Sequence, residues 1–182
     1  MKPIGPLMRE HRLIERMIAL LNKELEGITT GGKVDVKFLV VAIDFMHTYA
    51  DKTHHGKEED ILFRELAKKQ LSKEHEKTMN ELLEEHTVGR KIVASLAEAN
   101  KDYATGNTKS LKDIMSCIRE LVKLYPAHIE KEDKYFFYPC LEYLNNQEQK
   151  NMLSDFWEFD RKIIHEKYQN SVAEFEHAIK NS

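Results

Sequence analysis

Hydrophobic residues recur along this chain at spacings of three and four, and nowhere do they alternate one by one as in a strand. The pattern predicts five helices. The first covers about Pro6 to Glu26, with Leu13, Met17, Leu20, Leu21 and Leu25 at helical spacing, and stops at Gly27 before the turn-rich GITTGGK. The second begins near Val34, with Asp35 as its cap, and carries Phe38, Val41, Phe45 and Tyr49 towards Lys69. Ser72 caps the third, whose apolar positions Met79, Leu82, Leu83, Val88, Ile92, Val93 and Leu96 lead to about Tyr103. The fourth runs from about Lys109 to Glu132 or slightly beyond, with a kink or break expected at Pro126, just before His128. After Pro139 and the turn NNQEQ, a fifth covers about Met152 to Ala178.

Four long helices with short connections make an up-down antiparallel four-helix bundle, so the fold class is all-α. Residues 1–140 form that bundle, and residues 141–182 carry an additional C-terminal helix of the same domain. That helix is amphipathic, and packing within the chain is the expectation over joining a second subunit; the protein is read as a monomer or homodimer.

A net charge of −3, with no long run of lysine or arginine, gives no electrostatic reason to expect nucleic acid. No apolar stretch approaches the length that spans a membrane, and the opening MKPIGPLMREHR turns polar too soon for a signal peptide. A cytoplasmic protein is the default expectation. Cys117 and Cys140 are far apart in a chain of ordinary size and read as buried free thiols.

A repeated phrase changes the picture. Residues 54–60 read HHGKEED and residues 128–133 read HIEKED; aligned on His54 and His128, each is His-x-x-Lys-Glu-acid, with a phenylalanine nine residues on, Phe63 and Phe137. The helices before them carry a second repeat, Glu10-His11 and Glu85-His86. Residues four apart on an α-helix lie about 40° apart around the axis and about 6 Å along it. His54 with Glu58, and His128 with Glu132, therefore point to a common place. With His11 and His86 they make a nitrogen and oxygen donor set suited to iron, manganese or zinc. Two carboxylates shared between two metals would bridge them, with two histidines for each and positions left free for dioxygen, peroxide or nitric oxide. A ferritin-like dimetal site needs a Glu-x-x-His motif on each of two helices, and this chain has one such pair, Glu174 and His177.

The segments MREHRLIERM, YADKTHHGKEEDILF, EEHTVGRKIV and HIEKEDKYFFYP, in this order over residues 8–139, resemble the hemerythrin-like family, the HHE cation-binding domain. The resemblance implies an oxo- or hydroxo-bridged di-iron centre. His11 and His54 would bind one iron, His86 and His128 the other, and Glu58 and Glu132 would bridge them. Two positions matter in the comparison with the oxygen-carrying members: a histidine four residues after His86 is replaced by Arg90, and their aspartate five residues after the last histidine is present as Asp133, beside Glu132. An offset of five turns a side chain about 140° away on a regular helix, so Glu132 is preferred and Asp133 is the reserve. The missing histidine leaves one iron more open, which weakens the case for reversible oxygen carriage and favours reactive chemistry, nitric oxide handling, sensing or iron storage. The expected function is binding of dioxygen, nitric oxide or peroxide, with an electron-transfer partner as an option. The alternative is a module that stores, donates or senses iron.

Other residues take plainer readings. His55, about 100° from His54 around the helix, is expected at the surface or behind the ligands rather than among them. His47 is a candidate for access to the site. Tyr135, Phe136, Phe137 and Tyr138 read as core, and His75, His165 and His177 as solvated.

Overall fold

The computed structural model describes residues 2–180, with side chains through residue 163 and that of Lys167. Helix α1 spans Ile4–Gly31. Helix α2, residues 36–66, joins α-helical Val36–Asp44, π-helical Phe45–His55 and Glu58–Phe63, and a last turn Arg64–Leu66. Helix α3 is Lys73–Ala104. Helix α4, residues 111–140, is α-helical over Leu111–Lys131, π-helical over Glu132–Phe136, and α-helical again over Phe137–Cys140. Helix α5 is Asn146–Lys180. Helices α1 to α4 pack in a ring, each against its neighbours in sequence and α4 back on α1. The result is the expected all-α bundle with a fifth helix beyond it.

Local chemistry sets the helix ends. The side chain of Asp35 accepts from the N–H of Phe38 at 3.0 Å, and that of Ser72 from the N–H of His75 at 3.2 Å. Gly27 does not stop α1: nothing crowds its Cβ position, and the helix continues to Gly32, whose φ of 65° closes it in the left-handed conformation. The α4 helix likewise runs unbroken through Pro126. The stretch expected as a turn before α5 is its first turn, because Asn145 caps it, accepting from the N–H groups of Gln147 and Glu148, both at 2.9 Å.

The inward stripes differ from several of the expected ones. On α1 the buried positions are Ile4, Leu7, His11, Ile14, Ile18, Leu21 and Ile28, a run of three- and four-residue steps. Leu13 and Leu20 face outward instead, as do Val41 on α2 and Val88 on α3. On α2 the buried set is Leu39, Ala42, Met46 and Ala50, one position off the Phe38, Val41, Phe45 and Tyr49 face. Tyr135 and Tyr138, expected in the core, are more than half exposed, while Phe136 and Phe137 are buried as expected. Cys117 and Cys140 are buried free thiols. His75 is half-buried and shares a hydrogen bond with the Tyr143 hydroxyl at 2.9 Å. The side chains of His165, His177 and Glu174 lie outside those described.

The core has two apolar layers. One contains Ile14, Ile18, Leu21, Leu39, Leu96 and Leu121; the other contains Leu7, Leu62, Leu82, Phe136, Phe137 and Phe156. Between them every inward stripe turns polar: His11 on α1, His54, His55 and Glu58 on α2, His86 on α3, and His128 and Glu132 on α4. Helix α5 closes the outside of α2 at this level. Its Asp160 meets Lys57 Nζ at 2.7 Å, and its Phe159 ring comes so near Gly56 that a Cβ there would lie 2.7 Å from it.

Candidate metal centre

Seven polar side chains in the middle of a helical bundle are costly unless something satisfies them. All seven are at most 4% exposed. Among the described residues, the Nε2 atoms of His11, His54, His55, His86 and His128 and all four oxygens of Glu58 and Glu132 have no hydrogen-bond partner. They form two groups, each with its donor atoms within 4.8 Å of one another: His11, His54, Glu58 and Glu132 in one, and His55, His86 and His128 in the other.

The two carboxylates span both groups. Glu58 turns Oε1 towards His54 Nε2 at 3.3 Å and Oε2 towards His86 Nε2 at 3.4 Å. Glu132 turns Oε2 towards His11 Nε2 at 3.0 Å, and Oε1 towards His128 at 3.3 Å and His86 at 3.8 Å. Lone pairs from imidazole and carboxylate, buried, unsatisfied and facing one another, are what hard or borderline cations require. The donor set fits a metal cofactor.

Behind each imidazole stands another carboxylate. Nδ1 of His11 donates to Asp133 at 2.8 Å, that of His54 to Glu10 at 2.9 Å, that of His86 to Glu59 at 2.7 Å and that of His128 to Glu85 at 2.8 Å. A carboxylate only accepts, so in a neutral imidazole the proton stays on Nδ1 and Nε2 keeps its lone pair facing inward. Asp133 therefore sits behind His11, and Glu132 inside.

The repeated phrases build matched halves of this arrangement. Lys57 donates to Glu10 at 2.5 Å and Lys131 to Glu85 at 2.6 Å, so each lysine grips the carboxylate that orients the histidine of its own phrase. Each phenylalanine also finds an equivalent place, Phe137 stacked on His11 with ring centroids 5.6 Å apart and Phe63 stacked on His86 at 6.1 Å. The doubled Glu-His dipeptides, and the lysine in both phrases, were the visible signals of this outer ring.

His55 departs from expectation. It is 3% exposed and lies among the other histidines, stacked on His86 with centroids 3.8 Å apart. The cause is the π-helical stretch Phe45–His55, whose wider turn brings neighbouring residues closer in angle than the about 100° of an α-helix. His54 and His55 consequently both face inward. His47, by contrast, is exposed. It lines a cavity of about 810 Å³ between α2 and α3, walled by Val36, Val40, Ile43, Met46, Val93 and Ala97, that reaches His55 and Arg90.

The field inside the layer is strongly uneven. Burial opposes a charge on His11, but Asp133 and Glu132 outweigh it and lift its pKa to about 9. For His54 burial prevails, assisted by the charge of His11, and the pKa falls to about 4. Burial also drives His55 well down, with His86, His54 and His128 adding to it. Glu58 is pushed well up by burial and by Glu132, whereas burial of Glu132 is outweighed by His128, His11 and His86, which hold it well below the ordinary range. Without a cation, the two facing carboxylates cannot both be charged cheaply.

Among the described residues, no helix is long and apolar enough to cross a membrane. A search of curated proteins finds no match to this chain. The family model for the hemerythrin HHE cation binding domain matches residues 2–140, which include every member of the buried histidine and glutamate layer. The chain belongs to the hemerythrin HHE cation-binding domain family.

Proposed function

We propose that this protein is a non-heme di-iron protein that binds dioxygen, nitric oxide or peroxide at a carboxylate-bridged centre. The observation that carries the reading is the division of each carboxylate: Glu58 and Glu132 both present one oxygen to the His11/His54 group and the other to the histidines around His86. That is the arrangement of two bridges between two ions. His11 and His54 would hold one ion, His86 and His128 the other. Iron is favoured by the family, since the donors alone also accept manganese or zinc.

When bound, a pair of irons supplies exchangeable electrons and positions for a small ligand. The protein's part is to fix the donors and keep water out. Asp133, Glu10, Glu59 and Glu85 hold the Nδ1 protons and thereby the ring orientations. Phe63 and Phe137 cover His86 and His11 from the side of the second apolar layer.

The test is exposure of the anaerobic, iron-loaded, reduced protein to nitric oxide and to dioxygen. A new visible or electron paramagnetic resonance signature, or turnover, supports this function. Loss of iron with no adduct contradicts it and favours a role in storing, donating or sensing iron.

A further inference from the structure

We propose that His55 is a metal ligand, supplying a third imidazole to the ion held by His86 and His128, and that Arg90 is the positioning residue behind it. The inference rests on the dimetal reading above and adds to it a donor that the repeated phrases do not contain.

Two observations on His55 converge. Its Nε2 is buried and unpartnered, and lies with those of His86 and His128 in one group of donor atoms within 4.8 Å. Its Nδ1 faces the Asp51 carboxylate at 3.4 Å, so it has the same kind of carboxylate behind it as the other four histidines.

Arg90 explains how that carboxylate is held. It stands four residues after His86, where a histidine could have reached the same ion from α3. Its Nε instead donates to Asp51 at 2.7 Å, and its Nη2 donates to Glu59 at 2.6 Å. One guanidinium thus fixes the carboxylates behind both His55 and His86.

The repeat makes the consequence one-sided. Alignment of the two phrases places Ile129 opposite His55, and Ile129 is buried apolar core. One ion position receives His55, His86, His128 and an oxygen from each glutamate; the other receives only His11, His54 and an oxygen from each. The two positions are chemically unequal, and the less furnished one is at His11 and His54.

The test uses Co(II) as the probe, titrated into metal-depleted wild-type, His55→Ala and His55→Gln proteins while visible absorption and binding are followed, with circular dichroism to verify folding. The first equivalent should bind about 100-fold or more weakly, beyond the 10–100-fold usual for losing a group behind a ligand, and with an altered spectrum. The second equivalent, which goes to the less furnished position at His11 and His54, should bind nearly as in the wild type. Imidazole added to His55→Ala, with access through the large cavity, should restore the wild-type spectrum. Arg90→Ala should weaken the first equivalent less than His55→Ala does. If wild type takes up two equivalents and both His55 variants match its affinity and spectrum, the His55 assignment is overturned while the dimetal reading stands. If wild type takes up none, the dimetal reading itself fails.

Discussion

Glu10 precedes His11 in the chain, yet its carboxylate accepts from Nδ1 of His54 on the next helix, 2.9 Å away. The same crossing occurs in the other half, where Glu85 precedes His86 and holds His128. Each Glu-His dipeptide thus sends its histidine to the centre and its glutamate to a neighbour's imidazole. Glu10→Gln removes the charge behind His54 and from beside Lys57. It should weaken metal binding about 10–100-fold, the usual cost of losing a carboxylate behind a ligating histidine. Competition titration with a chromogenic chelator reads this; unchanged affinity would show that Glu10 serves only Lys57.

Lys57 and Lys131 occupy equivalent places in the two phrases but differ in burial. Lys57 is fully buried between Glu10 and Asp160, whereas the side chain of Lys131 is 26% exposed beside Glu85 and Glu81. Removing one member of a fully buried ion pair costs about 3–5 kcal/mol, and Lys57 falls towards the lower end because Glu10 and Asp160 keep 14% and 30% of their side chains exposed. A partly exposed pair contributes about 1 kcal/mol or less. Lys57→Met should therefore destabilise the metal-depleted protein several times more than Lys131→Met in denaturant unfolding. Equal losses would mean that α5 does not cover Lys57 in solution.

The metal-depleted protein should be most stable near pH 6.5. His11 has a folded pKa of about 9 against an ordinary 6.5, so its contribution is fully present below pH 6.5 and is lost as pH rises to 9. The raised value of His86 acts in the same direction on the alkaline side, whereas that of Glu58, whose ordinary value is 4.5, lowers stability from about pH 4.5 upward and partly offsets the acid limb. His54 has a folded pKa of about 4, so the unfolded chain binds the extra proton between pH 6.5 and 4, and stability falls as pH drops through that window. Melting temperatures measured across this range should trace a dome. Bound metal replaces these protons and should remove the alkaline limb while steepening the acid one; a monotonic profile without metal would contradict the charge arrangement.

Much of this centre was legible as text. The His-x-x-Lys-Glu phrase, its repetition and the Glu-His dipeptides identify the four helices and place Glu58 and Glu132 in register. Helical spacing locates the elements, but it cannot choose between neighbouring stripes when both are apolar. Thus Leu13, Leu20, Val41 and Val88 looked like core, whereas on α1 the buried stripe passes through His11 itself. Placing His55 required knowing that α2 widens into a π-helix, because a regular α-helix would have turned it away from His54. Asp133 was visible as the reserve carboxylate beside Glu132, and Arg90 as a departure from the oxygen-carrying members. Their partners, His11 for one and Asp51 with Glu59 for the other, arise only when distant helices meet.

The claim that Glu58 and Glu132 bridge two ions is tested most directly by metal analysis of freshly purified wild-type protein beside a Glu58→Ala/Glu132→Ala variant whose helical content is verified. The account predicts about two metal ions per wild-type chain, mainly iron, and loss of most of that metal in the folded variant. A wild-type protein without iron, manganese or zinc, or a variant that keeps its full complement, would contradict it.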